Sequence, residues 1–181
     1  PVRNFSGNGY TLMIELAGKI EKKYKFERDL FLFLATQKEA SHINVIVSNR
    51  WILEDKVNFR KIDSLIEQKK LNVVWIAKVL DYEKLENEIL NTERLLLEQG
   101  QLPSVFFKVD GAWNEGVAKK LRSFSLIPIE PNSVLSKGGK IKKGSMVLVK
   151  GDGTESKYAK VIINESKKKN SLQIQSLYDN K

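Results

Sequence analysis

The hydrophobic pattern between residues 42 and 130 alternates between short apolar segments and longer amphipathic ones. The apolar segments are rich in β-branched residues and bounded by polar residues, as is typical of buried strands, at 42–49, 71–79, 103–111 and 126–130. The segments between them carry apolar residues at helical spacing, which predicts helices at 56–70, 81–99 and 112–124. Strand–helix alternation favours βαβ units. We therefore predict an α/β fold, a largely parallel three-layer βαβ domain.

The first forty residues give a less specific pattern, because their apolar runs are continuous and periodicity does not separate helix from strand. Two helices, at 11–24 and 26–40, are the favoured interpretation, and a strand followed by a helix is the alternative. In either case these residues form a helical or mixed lead-in to an α/β domain that spans residues 1–130.

The composition changes after residue 130. Proline, asparagine, serine and a Gly-Gly pair predict a linker at 131–139. Residues 140–181 contain short apolar segments separated by GDGTES and SKKKN, which indicates short strands joined by tight turns. This layout resembles the SH3-like barrels found in many nucleic-acid and protein-interaction modules. We expect a small basic C-terminal module, either an SH3-like β-barrel or an antiparallel β extension.

The net charge of +9 is concentrated in this module, since residues 137–181 hold eleven lysines and four acidic residues. Such asymmetry suggests contact with nucleic acid, and the alternative is a lysine-rich surface that only contacts solvent. Lysines attract phosphates without reading bases, so DNA and RNA both remain open. In a strand, Tyr158 and Lys160 would share one face. The predicted nucleic-acid-binding residues are Lys140, Lys142, Lys143, Lys150, Lys157, Tyr158, Lys160, Lys167, Lys168 and Lys169.

Composition also excludes several kinds of protein. The chain has no cysteine, which excludes disulfide frameworks and thiolate metal sites. The apolar run at 30–35 is far shorter than the roughly 18 residues needed to cross a bilayer, and the first residues lack the pattern of a signal peptide. We expect a cytoplasmic, non-catalytic nucleic-acid-binding protein without a cofactor or a membrane partner.

The stretch GDGTESKYAKV, at 151–161, raises the question of a phosphate-binding loop. A Walker-type loop needs G-x-x-x-x-G-K-[ST] between a strand and a helix. Here the spacing differs, Glu155 is acidic, and the pair Asp152–Gly153 is a strong turn signal. We interpret the stretch as a turn between two strands. No G-x-G-x-x-G follows a predicted strand either, so a dinucleotide site is not indicated.

A second hypothesis is a Mg²⁺-dependent nuclease or nuclease subunit. Asp63 and Glu67 would share one helix face, and Asp110 lies at the end of a predicted strand. Carboxylates are ligands of Mg²⁺, so these three residues are the catalytic candidates of this hypothesis. The single histidine, His42, opens a predicted strand and is interpreted as a strand-edge or capping residue, so no other metal site is predicted.

A third hypothesis is a protein–protein adaptor that belongs to a larger complex. Open α/β sheets bind ligands outside the carboxyl ends of their strands. Four residues near such ends could converge in one cleft that suits a base or a protein side chain, namely Arg50, Trp51, Trp113 and Asn114. The alternative is that the two tryptophans pack against the starts of helices.

Overall fold

The structure is a computed structural model that describes residues 2–3, 8–16, 25–109, 115–135, 140–151 and 153–179. Within these residues the strands are β1 Thr11–Glu15, β2 Ser41–Val47, β3 Leu71–Val79, β4 Pro103–Val109, β5 Ile127–Pro128, β6 Ser133–Val134 and β7 Met146–Lys150. The helices are α1 Arg28–Ala35, α2 Asn49–Glu54, α3 Lys56–Glu67, α4 Leu85–Glu98, α5 Glu115–Arg122 and α6 Lys157–Ser166. No described helix is long and apolar enough to cross a membrane.

The described strands form one seven-stranded sheet in the order β5-β4-β3-β2-β1-β7-β6, and every neighbouring pair is parallel. Consecutive strands from β1 to β5 lie side by side, while β7 pairs with β1 from the other side. This is the strand order of a (β/α) barrel that is open between β5 and β6. The sheet is therefore a curled half-barrel.

The helices pack on the outer face of this sheet. Outward side chains of the central strands, such as Leu12, Val45 and Val147, share one buried cluster with residues of α1, α2, α3, α4 and α6. A second cluster joins α4 and α5 to Val79 and Phe107. The predicted α/β class and the parallel sheet are confirmed. The three-layer arrangement is not confirmed, because none of the described α-helices packs on the inner face, whose apolar cluster is completed by Leu177 of the C-terminal segment.

The inner face carries its own apolar cluster, which consists of Met13, Ile46, Val74, Ile76, Phe106, Ile129, Met146 and Leu177. Leu177 belongs to a 3-10 turn, Leu177–Asp179, and reaches this cluster from the C-terminal segment. The ring of Tyr178 lies 5.4 Å from that of Phe106. The C-terminal residues thus help to fill the interior of the half-barrel.

The predicted C-terminal SH3-like barrel or antiparallel extension is wrong. β7 pairs with β1 in parallel over five register positions, so it belongs to the common sheet. Residues 157–166, predicted as a strand, form helix α6, which buries Ala159, Ile162 and Ile163. Short apolar runs fit both the helical and the strand periodicity, and only tertiary packing decides which of the two forms. The domain limits at 130 and 140 stay predictions, although β6, in the predicted linker, pairs with β7.

The favoured two-helix interpretation of the first forty residues is also wrong. Residues 11–15 form β1, and α1 follows at Arg28, which is the strand-then-helix alternative. β1 is buried on both faces in the middle of the sheet, between β2 and β7. A strand with two buried faces has a continuous apolar run, which hides the alternation expected of a strand.

Gly151 holds β7 and β1 together beyond the end of their ladder. Its N–H donates to the Glu15 carbonyl at 3.1 Å, and its own carbonyl accepts from the Glu27 N–H at 3.0 Å. A Cβ atom at this position would lie 2.5 Å from Ile14 Cγ2 and 2.6 Å from Leu16 Cδ2. The close approach of these side chains therefore requires glycine.

We expect Gly151→Ala to lower the free energy of unfolding by about 1–3 kcal/mol, because the new methyl overlaps packed side chains of β1. Gly153→Asn is the matched control, since Gly153 has φ +64° with open space around it and asparagine tolerates that conformation. Urea unfolding of both variants tests this. Equal losses in the two variants would contradict the packing argument.

Candidate functional site

The inner face of the half-barrel changes from apolar to charged towards the carboxyl ends of the strands. The register places Glu15 of β1 beside Ile46 of β2 on one side and Lys150 of β7 on the other. Lys78 of β3 lies beside Lys108 of β4. Lys78 is the next inward position of β3 beyond the level of Glu15, towards the carboxyl ends of the strands. Each of these charged residues follows an inward apolar residue of its own strand by two positions, so all four point to the inner face.

Glu15 forms two ion pairs across the concave face. Its Oε1 atom lies 3.1 Å from Lys78 Nζ, and its Oε2 atom lies 3.1 Å from Lys108 Nζ. β1 and β4 are three strands apart, which is roughly 14 Å in a flat sheet, so the curl of the sheet and the length of lysine together close the gap. We call these three residues the ion triad.

The ion triad is largely removed from solvent. The exposed fraction of the side chain is 2% for Lys78, 11% for Glu15 and 13% for Lys108. Burial of a charge is costly unless an opposite charge compensates it, and the Glu15 carboxylate supplies such compensation to both lysines. Because both carboxylate oxygens accept from ammonium groups, a metal cation would have to displace a lysine to bind Glu15.

The donor set of the described residues does not fit a metal centre. No group of three or more His, Cys, Asp or Glu side chains comes together in the described parts of the chain. His42 lies four residues before Ile46 on β2, which is about 13 Å along a strand, and so belongs to the opposite end of the sheet from Glu15. There it lines a polar cavity of about 350 Å³ together with Ser41, Lys167 and Gln175.

The GDGTES loop connects a strand to a helix, contrary to the predicted turn between two strands. β7 ends at Lys150, a 3-10 turn spans Gly153–Ser156, and α6 follows. At this junction the Ser156 hydroxyl donates to Glu27 Oε2 at 3.2 Å, and Glu27 also accepts from the Leu30 N–H at the start of α1. The loop thus contacts a carboxylate of this chain, that of Glu27, through the Ser156 hydroxyl.

The Glu27 carboxyl has a pKa below its ordinary value. Burial alone raises this pKa, but hydrogen bonds from the backbone N–H groups of Asp29 and Leu30 and from Ser156, with the charge of Lys160, lower it further than burial raises it. Glu27 therefore stays ionised and ties α1 to the beginning of α6.

Two of the three nuclease candidates, Asp63 and Glu67, do not lie at the carboxyl ends of the strands. Asp63 and Glu67 lie on the outer helix α3, where Asp63 interacts with Gln101, just before β4 begins. They are thus on the amino-end side of the sheet. Asp110 lies outside the described residues. Burial raises the pKa of Asp63, as does the charge of Glu67, while the hydrogen bond with Gln101 lowers it.

Of the residues predicted to line a cleft, the structure describes Arg50 and Trp51, and Trp51 is buried in the core. Trp51 is 2% exposed and packs against Phe59, with ring centroids 6.2 Å apart. The backbone N–H of Trp51 donates to Ser48 Oγ, and Ser48 is the N-cap residue of α2. Arg50 is exposed and pairs with Glu54 at 2.7 Å. The alternative that the tryptophan packs at the start of a helix is therefore correct for Trp51, whereas Trp113 and Asn114 lie outside the described residues.

The predicted nucleic-acid-binding lysines are distributed over both ends of the sheet. Lys140, Lys142 and Lys143 precede β7, whereas Lys150 ends it. Lys157 and Lys160 lie in the first turn of α6, and Lys157 Nζ lies 5.4 Å from the ring of Tyr158, which is partly buried against the core. The last cluster follows α6, where Lys167 donates to Gln37, Lys168 pairs with Glu165 and Lys169 is exposed.

The sequence predictions missed the ion triad. Its residues have one feature in common, a charge at the end of a buried apolar run, in the strings LMIE, WIAK and VFFK. A charged residue at such a position lies at the carboxyl end of a parallel strand. Its side chain points either to the inner face of the sheet or to the helix layer on the outer face. This signal could have identified Glu15, Lys78 and Lys108 as a group.

The fold is similar to that of several solved proteins. A mutant of BA3943, a CE4 family pseudoenzyme with restored enzymatic activity, matches 99% of this chain and 70% of that chain, with a TM-score of 0.69 and 15% identity. The chitin deacetylase of the fungal pathogen Colletotrichum lindemuthianum matches 98% of this chain and 88% of that chain, with a TM-score of 0.66 and 12% identity. The family 4 carbohydrate esterase of Streptomyces lividans, in complex with acetate, matches 85% of each chain, with a TM-score of 0.61 and 12% identity.

No family model matches the sequence. At identities of 12–15% these likenesses establish the fold, an α/β half-barrel that resembles the CE4 fold. The prediction of a nucleic-acid-binding protein, with DNA or RNA as partner, is wrong, and so is the nuclease alternative. The similar structures are carbohydrate esterases, a chitin deacetylase and a pseudoenzyme. The basic β module that carried the prediction does not exist, and the adaptor hypothesis loses Trp51 as an anchor.

We expect Glu15→Gln to lower the free energy of unfolding by about 3–5 kcal/mol, because it removes the carboxylate that pairs with two largely buried ammonium groups, those of Lys78 and Lys108. Glu54→Gln is the matched control, since it removes an exposed i,i+4 pair with Arg50 that contributes only about 0.3–0.5 kcal/mol. Urea unfolding at pH 7 measures both. Similar small losses in the two variants would show that the ion triad does not stabilise the fold.

We expect Asp63→Asn to stabilise the protein at pH 7. Since the folded-state pKa of Asp63 lies above its ordinary value of 3.8, the folded state binds more protons between the two values, and stability falls as the pH rises through that window. The gain at pH 7 should stay below about 1 kcal/mol, because solvent screens a half-exposed group.

Unfolding of this variant at pH 4 and pH 7 tests the sign of the effect. Glu98→Gln, which removes an exposed carboxylate on α4, is the control and should show no comparable gain between the two pH values. An Asp63→Asn variant that is less stable than the parent at pH 7 would contradict the argument.

Proposed function

We propose that this protein binds a carbohydrate on the inner face of the half-barrel, at the carboxyl ends of the strands, and does not hydrolyse it by a metal-dependent mechanism. The observation that carries the proposal is the ion triad. It places a paired carboxylate and two ammonium groups at the end of a barrel-like sheet where ligands bind in related architectures.

The carbohydrate part of the proposal is supported by the fold. The proteins with similar structures include a family 4 carbohydrate esterase and a chitin deacetylase. Sugars present many hydroxyl groups, and a buried, rigidly held set of charged donors and acceptors suits such ligands because hydrogen bonds to ionised groups are the stronger ones. Glu15 supplies acceptor oxygens, and Lys108, at 13% exposure, lies at the surface of the triad.

The non-hydrolytic part is supported by the donor set. Cleavage of an acetyl ester or amide usually requires a metal-activated water or a nucleophile with a histidine base. The chain has one histidine and no cysteine, and His42 lies at the opposite end of β2 from Glu15. Among the described residues no metal-binding group of acidic and histidine side chains is found. Similar structures of this fold include a pseudoenzyme.

Two assays test this function. Calorimetric titration with a panel of neutral and acidic oligosaccharides should detect binding, and Lys108→Gln should weaken it about tenfold, the effect of losing one hydrogen bond to a charged group. Lys169→Gln, at an exposed position after α6, is the matched control and should bind as the parent does.

The second assay measures acetate release from acetylated chito-oligosaccharides and acetylated xylan, with Zn²⁺, Co²⁺ or Mn²⁺ added. We expect release no faster than in the protein-free blank. Metal-dependent release that is lost in Lys108→Gln would show that the protein is an esterase and would contradict the non-hydrolytic part of the proposal. The absence of binding to every saccharide would reject the binding part.

A further inference from the structure

The carboxyl-end part of the inner face carries more positive than negative charge among the described residues. Glu15 is the acidic residue that the structure describes in this layer, whereas three lysines, Lys78, Lys108 and Lys150, point to the same face from three different strands. Below them the inner face is apolar, with Met13, Ile46 and Ile76. An apolar floor lowers the local dielectric and strengthens the attraction of these charges for an anion.

Lys150 differs from the other two lysines in its surroundings. Lys78 and Lys108 donate to the two oxygens of Glu15, whereas no described carboxylate forms an ion pair with Lys150, although the register places it directly beside Glu15. Its side chain is exposed, at the end of β7 and next to the packed glycine at 151. It is thus positioned at the rim of the ion triad with its ammonium group accessible from the concave side.

We propose that Lys150 binds the anionic group of an acidic saccharide, a carboxylate or a sulfate, while the sugar ring rests against the ion triad. This inference rests on the proposed carbohydrate-binding function and specifies its ligand class. An ammonium group recognises an anion as a point charge and does not distinguish a carboxylate from a sulfate by geometry. Glu15 remains neutralised by its two lysines and so does not repel the ligand.

The test compares two ligands with the same sugar backbone, one with free carboxylates and one with the carboxylates converted to uncharged esters. Tetragalacturonate carries one carboxylate per sugar, and its methyl ester has the same sugars without the charges. We expect the parent protein to bind the acid about two- to fivefold more tightly than the ester, the range for an ion pair at an exposed lysine, and Lys150→Gln to lose this preference. Lys150→Arg should retain it, and Lys169→Gln, the matched control, should behave as the parent. A sulfated and an unsulfated dextran oligomer form the second ligand pair.

Each outcome either supports or overturns the inference. A preference for the acid that disappears in Lys150→Gln and weakens at high salt supports it, and the two ligand pairs then show whether carboxylate or sulfate is the better group. Equal binding of acid and ester, or an unchanged preference in Lys150→Gln, overturns it while the carbohydrate-binding function stands. Binding of polyglutamate as tight as that of the acidic sugars would also overturn it, because charge alone would then explain the affinity.

A failure of the proposed function looks different, since no neutral or acidic saccharide would then bind the parent protein. Thermal unfolding accompanies each titration. Lys150 is exposed and makes no ion pair with a described carboxylate, so Lys150→Gln should unfold at the temperature of the parent, and its binding can be compared directly.

Discussion

The desolvated ion triad is the interaction on which the rest of the structure depends. Glu15, Lys78 and Lys108 come from three strands, and they meet only because the sheet curls by a large angle between β1 and β4. In a flat sheet each charge would need another partner or would stay in water. The curl of the sheet and the charged carboxyl end of its inner face are thus linked features. A substitution that flattened the sheet would expose or separate the same three groups.

The two faces of the sheet have different roles. The outer face carries the helices and most of the apolar core, including the stacked rings of Phe59 and Trp75. The inner face has a smaller apolar cluster at its base, which Leu177 completes from the C-terminal segment, and charges above it. This division leaves stability mainly to the outer face, and the proposed ligand contact would fall to the inner face, as in barrel folds whose strand ends carry the site.

The central strands and helices could be predicted from the sequence because β2, β3, β4 and the helices between them have clear, distinct periods. The ends could not. β1 is buried on both faces, so its apolar run looks helical, and α6 has a spacing that also fits a strand. The site was missed for a different reason: the prediction followed the exposed lysines near the C-terminus, whereas the decisive lysine, Lys78, is almost fully buried in a strand. The glutamate that pairs with Lys78 lies two strands away in the sheet and far away in the sequence, so the pattern along the chain does not reveal the pair.

The opening between β5 and β6 has a consequence for how the molecule behaves in a crowded solution. Each of these strands is two residues long, so the described sheet offers little unpaired backbone at either edge. At β5 the chain also covers its own edge, since the Val2 N–H donates to Pro128 O and the Val2 carbonyl accepts from Glu130 N, both at 2.8 Å. Short, blunted edges cannot readily pair with a strand of another molecule. An incompletely closed barrel can therefore resist edge-to-edge aggregation almost as a closed one does.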